Sequence, residues 1–179
     1  KTITRSFGSN KINGLEISWD AQGCPKTNDE NIYISLSHND QRCITAAYKT
    51  SLGIDIVDLK NRTYDEWTSL LSSKDRKLLD DLVEKTSSPD DAGAITWGGK
   101  ESFFKATQKK DFYFHYEKTI GNDIVVLKNN ESDDRIIAFP FNPAAGQRFF
   151  IVLCLLAKQP QKNKYQAGSV VEVGQNSLK

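Results

Sequence analysis

Apolar and polar residues alternate along Leu15-Glu16-Ile17-Ser18-Trp19-Asp20 and stop at the turn residues Gln22-Gly23-Cys24-Pro25, which predicts a half-buried strand. Ile32 to Ser37 repeats the pattern. Arg42 to Lys49 and Leu52 to Leu59 are two further apolar runs separated only by Thr50-Ser51. That spacing predicts a hairpin whose second strand is the more fully buried, and the four strands together form a candidate sheet. The period then changes. Trp67, Leu70, Leu71, Leu78, Leu79, Leu82 and Val83 recur at threes and fours, which predicts a helix through Lys74 to Lys85 with Ser73 as its cap.

Ser87-Ser88-Pro89-Asp90-Asp91 reads as a loop and cap region before a second helix over Ala94 to Lys109. That helix places Trp97, Glu101, Phe104 and Lys105 near one side, and each glycine of Gly98-Gly99 costs it about 1 kcal/mol relative to alanine. Beyond it lie four alternating segments, Phe112 to Lys118, Asp123 to Lys128, Arg135 to Phe141 and Arg148 to Ala157, each bounded by Gly, Asn, Asp or Pro clusters. They predict a meander. Strands, then helices, then strands point to an α+β fold with helices on one face of a mainly antiparallel sheet. The polar stretch 159–179, whose apolar residues cluster at Val170-Val171 and Val173, reads as a C-terminal extension of a domain spanning 1–158.

A chain of 179 residues suits one domain of ordinary size. Lys and Arg number 24 against 23 Asp and Glu, a net charge of +1, so no global field recruits nucleic acid and no nucleic-acid partner is expected. Cys24, Cys43 and Cys154 are odd in number and lack metal-ligand spacing, which suits free thiols in a reducing compartment. The longest apolar run, Phe149 to Ala157, is too short to cross a bilayer, and Lys1 to Arg5 lacks a signal-peptide core. A cytoplasmic protein without a membrane partner is therefore expected. With no methionine anywhere, the chain reads as processed or cut from a longer one, with an N-terminal part missing.

Two segments carry chemistry. Gly53-Ile54-Asp55-Ile56-Val57-Asp58-Leu59 sets a carboxylate inside a strand-forming apolar run, where an unpaired charge costs several kcal/mol. Asp55 therefore needs a partner, either a basic side chain or a metal. Trp97 to Lys105 places Glu101 and Lys105 one helical turn apart among large aromatics, either as a solvated surface pair or as part of a site.

Taken in order, Gly23-Cys24-Pro25, Ser35-Leu36-Ser37-His38, Gly53-Ile54-Asp55-Ile56 and Trp97-Gly98-Gly99-Lys100-Glu101-Ser102-Phe103-Phe104-Lys105 resemble the motifs of the 4′-phosphopantetheinyl transferase superfamily. The surfactin-synthetase-activating type is the nearer branch, and the resemblance spans about residues 14 to 157. It implies a 4′-phosphopantetheinyl transferase-like fold and transfer of the phosphopantetheine arm of coenzyme A to a serine of an acyl or peptidyl carrier protein. It further implies Mg²⁺ or Mn²⁺ on Asp55 and Glu101, and coenzyme phosphates at Ser37, His38, Lys100 and Lys105. Glu101, directly or through a water, would be the base, and Lys105 the acid for the departing bisphosphate. The chain would then be a domain of a polyketide or fatty-acid synthase. His115 matches no motif and reads as a surface strand residue. A second reading also stands, a degenerate module with a structural or binding role in a megasynthase. It draws on Val57 in place of a second acid, Cys24 in place of a basic residue, and the double glycine.

Overall fold

The computed structural model describes residues 14–21, 23–143 and 147–157, so the polar extension 159–179 lies outside the described residues. Nine strands and three helices follow the order β1 (Ile17–Trp19), β2 (Pro25–Thr27), β3 (Tyr33–His38), β4 (Cys43–Tyr48), β5 (Leu52–Asp58), α1 (Tyr64–Leu70), α2 (Arg76–Thr86), α3 (Pro89–Thr107), β6 (Phe114–Ile120), β7 (Ile124–Asn129), β8 (Arg135–Phe141) and β9 (Phe149–Leu155). The architecture is α+β. A five-stranded antiparallel sheet in the order β5-β9-β8-β7-β6 stands beside two hairpins, β1-β2 and β3-β4. The chain leaves the sheet at one edge after β5, forms all three helices, re-enters at the opposite edge as β6, and meanders back until β9 lies against β5.

The hairpin expected between Arg42 to Lys49 and Leu52 to Leu59 does not form. β4 pairs with β3, while β5 pairs in unbroken register with β9, from Leu52 opposite Leu155 to Asp58 opposite Phe149. Nor do the first four predicted strands share a sheet. The physical reason lies in β5 itself. Its residues from Leu52 to Asp55 are all buried, so it needs cover on both faces, and the apolar run of β9 provides a better ladder partner than the small, half-exposed Ile44-Thr45-Ala46-Ala47 of β4. Thr50-Ser51 joins two sheets instead of closing a ladder.

The helices also begin at other places than expected. The 64–70 stretch is a helix of its own, α1, started by a capping box in which Thr63 accepts from the Glu66 N–H and Glu66 accepts from the Thr63 N–H. Ser73 caps nothing; α2 starts at Arg76 after Asp75. Helix α3 begins at Pro89, a turn and more before Ala94, because Ser88 caps it, proline suits its first position, and Asp90 and Asp91 meet its positive end. Both acids are also held by side chains. Asp90 accepts from the Trp67 indole N–H at 3.0 Å, and Arg148 donates to Asp91 at 2.9 Å.

Helix α3 lies on β5, β9 and β8, with α1 and α2 packed on it. Its approach to the sheet is set by small residues. A methyl group on Gly98 would come within 2.7 Å of Val152 Cγ2 and 2.8 Å of Val57 Cγ2, so the double glycine that weakens the isolated helix is what lets it settle on the strands. Leu79, Leu82, Ile95, Leu127, Ile136 and Val152 fill the space between helices and sheet, each at most 0% exposed. Cys154 is buried there too, and that burial pushes its thiol pKa up, whereas Cys43 is exposed. Iodoacetamide should therefore label Cys43 in the native protein and reach Cys154 only on unfolding, as peptide mass mapping would show. Labelling of Cys154 at the rate of Cys43 would contradict this core. Among the described residues no helix is long and apolar enough to cross a membrane.

Candidate functional site

Asp55 sits in the middle of β5, between Gly53 and Val57, which both touch α3, so at the period of two its side chain projects toward the same helix. There it is 8% exposed and does have partners. Lys105 of α3 reaches its Oδ1 at 2.7 Å and the Ile54 carbonyl at 3.0 Å. The Ser37 hydroxyl donates to the same oxygen at 2.8 Å. A carboxylate that would be costly alone is thus held by one ammonium and one hydroxyl.

Ser37 comes from the neighbouring hairpin, and the way that hairpin is attached explains the Ser-x-Ser spacing. Residues two apart on β3 share a face, so Ser35 and Ser37 both turn to β5, where their hydroxyls accept the N–H groups of Ile54 at 3.0 Å and Ile56 at 3.2 Å. Two serine oxygens stand where a ladder partner's carbonyls would be. Ser35 was not singled out from the sequence as a site residue, although the i, i+2 pair of hydroxyls on a strand was the signal for it. Ser37 spends its only hydrogen on Asp55, so it positions that carboxylate and does not donate to an outside anion in this arrangement.

On α3, Trp97, Glu101 and Lys105 follow each other at four-residue intervals, about 40° apart around the axis, and form one stripe. Trp97 shares a recess of about 290 Å³ with Ile56, Val57 and Asp58 of β5, and Lys105 reaches Ile54 and Asp55. Glu101 occupies the turn between them, half-buried, and makes no hydrogen bond or ion pair with any described residue. Lys100 is turned roughly 140° from Lys105 around the helix. Its ammonium is 2.6 Å from the buried Asp75, so it closes the α1–α2 junction and is not at Asp55. His38 ends β3 on the face opposite Ser37, exposed, paired with Cys43 in the ladder, and with no described partner for its side chain. His115 is exposed on β6 and bonds Asn130, a surface strand position as expected.

Beside the cluster opens a cleft of about 670 Å³, walled by Gly23, Cys24 and Pro25, by Ser35 and Leu36, and by Lys105 and Gln108. Gly23, with φ at +77°, makes the turn from which the Cys24 N–H bonds Asp20 at 2.8 Å. Three of the four sequence motifs thus line one cavity, and the fourth, through Asp55, is bonded to a residue of its wall. The remaining positions of β5 where a second acid could serve do not join in. Val57 is buried against Gly98 in the unbroken register of the strand, and Asp58 faces away to pair with Arg42 at 2.9 Å and to accept from Asn39.

The donor set suits a hard cation only in a particular way. Among the described residues no cluster of three His, Cys, Asp or Glu side chains is present, but Mg²⁺ usually takes one or two carboxylates and completes its shell with water and ligand phosphates. Asp55 Oδ2 and the whole Glu101 carboxylate have no described hydrogen-bond partner and are available for that. No protein-family model matches this chain, and no curated protein matches it.

Proposed function

We propose that this chain is a 4′-phosphopantetheinyl transferase-like domain that moves the phosphopantetheine arm of coenzyme A onto a serine of an acyl or peptidyl carrier protein. The observation that carries the reading is that Lys105 stands at once in the wall of the 670 Å³ cleft and on Asp55, joining segments from Gly23 to Lys105 that resemble that family's motifs. Asp55 and Glu101 would hold Mg²⁺ or Mn²⁺, which supplies charge neutralisation for a pyrophosphate. The protein's own groups do the rest. The cleft takes the coenzyme, with its phosphates toward Lys105. Glu101 accepts the proton of the carrier serine as the serine oxygen forms its bond to the pantetheine-bearing phosphorus. The pyrophosphate P–O bond breaks, its electron pair leaves with adenosine bisphosphate, and Lys105 offsets or protonates that leaving group.

The test is mass spectrometry of apo carrier proteins incubated with coenzyme A, Mg²⁺ and this protein. Addition of the phosphopantetheine mass supports the reading. Coenzyme binding without transfer to any of a broad panel of carriers favours the second reading, a non-catalytic module, for which Val57 in the apolar packing is the specific observation. His38 gives an independent check. With its imidazole exposed and bonded to no described group, it can meet an anion that extends past the end of the hairpin, so His38→Ala should leave stability within about 0.5 kcal/mol. Its coenzyme affinity should fall about tenfold, the worth of one charge-assisted hydrogen bond. Calorimetry showing unchanged affinity would remove His38 from the coenzyme's contacts.

A further inference from the structure

We infer that Lys105 is a built-in stand-in for the cation at Asp55, so that a divalent metal binds there only when the ammonium is drawn off by an anion in the cleft. The inference rests on the reading of Asp55 as a cation site, and it adds an order of events to that reading. Lys105 lies 2.7 Å from Asp55 Oδ1 and 3.0 Å from the Ile54 carbonyl oxygen, which are two oxygens of the kind a hard cation would take. The Ser37 hydroxyl, 2.8 Å from the same Oδ1, holds the carboxylate in place for whichever cation is present.

The competition is electrostatic. A divalent ion brought to Asp55 while the ammonium stays meets a like charge at short range in a site that is 8% exposed, where screening by water is weak. Metal and ammonium therefore exclude one another. Lys105 has somewhere to go, because its side chain is 27% exposed and belongs to the wall of the cleft. An anionic group entering the cleft offers the ammonium a second partner, and its departure leaves Asp55 Oδ1, still held by Ser37, and the Ile54 carbonyl without the ammonium. Anion and metal then bind with positive coupling, and each raises the affinity of the other by the same factor. Lys100 is not a rival for this role, since Asp75 holds it 2.6 Å away at a different junction.

The experiment measures Mn²⁺ binding by electron paramagnetic resonance of the free ion, which requires no turnover. Wild-type protein should take up Mn²⁺ weakly when given the metal alone, and at least about tenfold more tightly when coenzyme A is also present. Lys105→Met should bind Mn²⁺ alone at least about tenfold more tightly than wild type, and Lys105→Met combined with Asp55→Asn should lose that gain. Should Lys105→Met fail to fold without metal, Lys105→Gln, which keeps a donor for Asp55 but no charge, is read in its place. Equal or weaker Mn²⁺ affinity in the uncharged variant overturns the proposal. If wild type still binds Mn²⁺ with coenzyme A in that case, the metal reading stands and only the stand-in role fails. If no Mn²⁺ binds under any condition, both fall together.

Discussion

Replacing Gly53 by alanine should lower the stability of this protein by about 3 kcal/mol, the upper end of what overpacking an interior usually costs. The methyl group would stand 2.8 Å from the Ser102 carbonyl carbon and 2.9 Å from the Ala106 nitrogen, and closer still to the Ser102 oxygen. These are backbone atoms of α3, so no rotamer change relieves them. The helix must lift off β5 or the strand must bend away from it. In a protein of this length the loss should appear as a fall of roughly 6 to 12 °C in melting temperature. Gly98→Ala supplies the contrast. Its nearest contacts would be side-chain atoms, Val152 Cγ2 and Cβ and Val57 Cγ2, and not backbone, and alanine regains about 1 kcal/mol of helix propensity. It should therefore cost less than Gly53→Ala. Equal melting temperatures for wild type and Gly53→Ala would mean that α3 does not seat on β5 as described, and with it the path from Lys105 to Asp55 would be lost.

The two glycines show what a sequence can and cannot convey. Gly98 was legible as a cost to an isolated helix, but its benefit lies in Val57 and Val152, residues of two strands far away in the chain. The meander β6 to β9 was legible almost to its ends because alternation and turn residues are local signals, and neighbours in the chain are also neighbours in the sheet. The partner of β5 was not. A two-residue link after β4 imitates a hairpin, and nothing local tells that Ile54 will sit opposite Leu153. The start of α1 was present in Thr63-Tyr64-Asp65-Glu66 as a capping box and went unread beneath the longer apolar period.

The site was legible in its members and less so in their partners. Asp55 was expected to need a counter-charge, and it has one. That the counter-charge is Lys105, and that Ser37 shares the same oxygen, follows from the seating of α3 on β5 and of β3 on the free edge of β5, neither of which has a local pattern. Lys100 and Lys105 looked equivalent as cations beside Glu101. The helical period separates them, and one is committed to Asp75.

Glu101→Gln should lower transfer of the phosphopantetheine arm at least about 10²-fold, the lower range for loss of a general acid or base. The side chain is half-buried on the stripe between Trp97 and Lys105 and is bonded to no described group, so its carboxylate is not spent on holding the fold. Glutamine keeps its shape while removing both a negative charge and the capacity to accept a proton. Stability should be unchanged or rise slightly, because the variant removes one of the two acids proposed to share the cation, Asp55 of β5 and Glu101 of α3, and like charges oppose each other when no metal lies between them. Lys105 on Asp55 already relieves part of that repulsion, which keeps the expected gain small. A base that also served the fold would behave otherwise, losing rate and melting temperature together. Mass spectrometry of carrier protein over time gives the rate, and thermal melting with and without Mg²⁺ gives the stability. Comparable transfer by wild type and Glu101→Gln would take the base assignment away from Glu101. Should wild type and variant both bind coenzyme A yet modify no carrier, the free carboxylate would belong to a binding module, and its loss would be read in coenzyme affinity instead of rate.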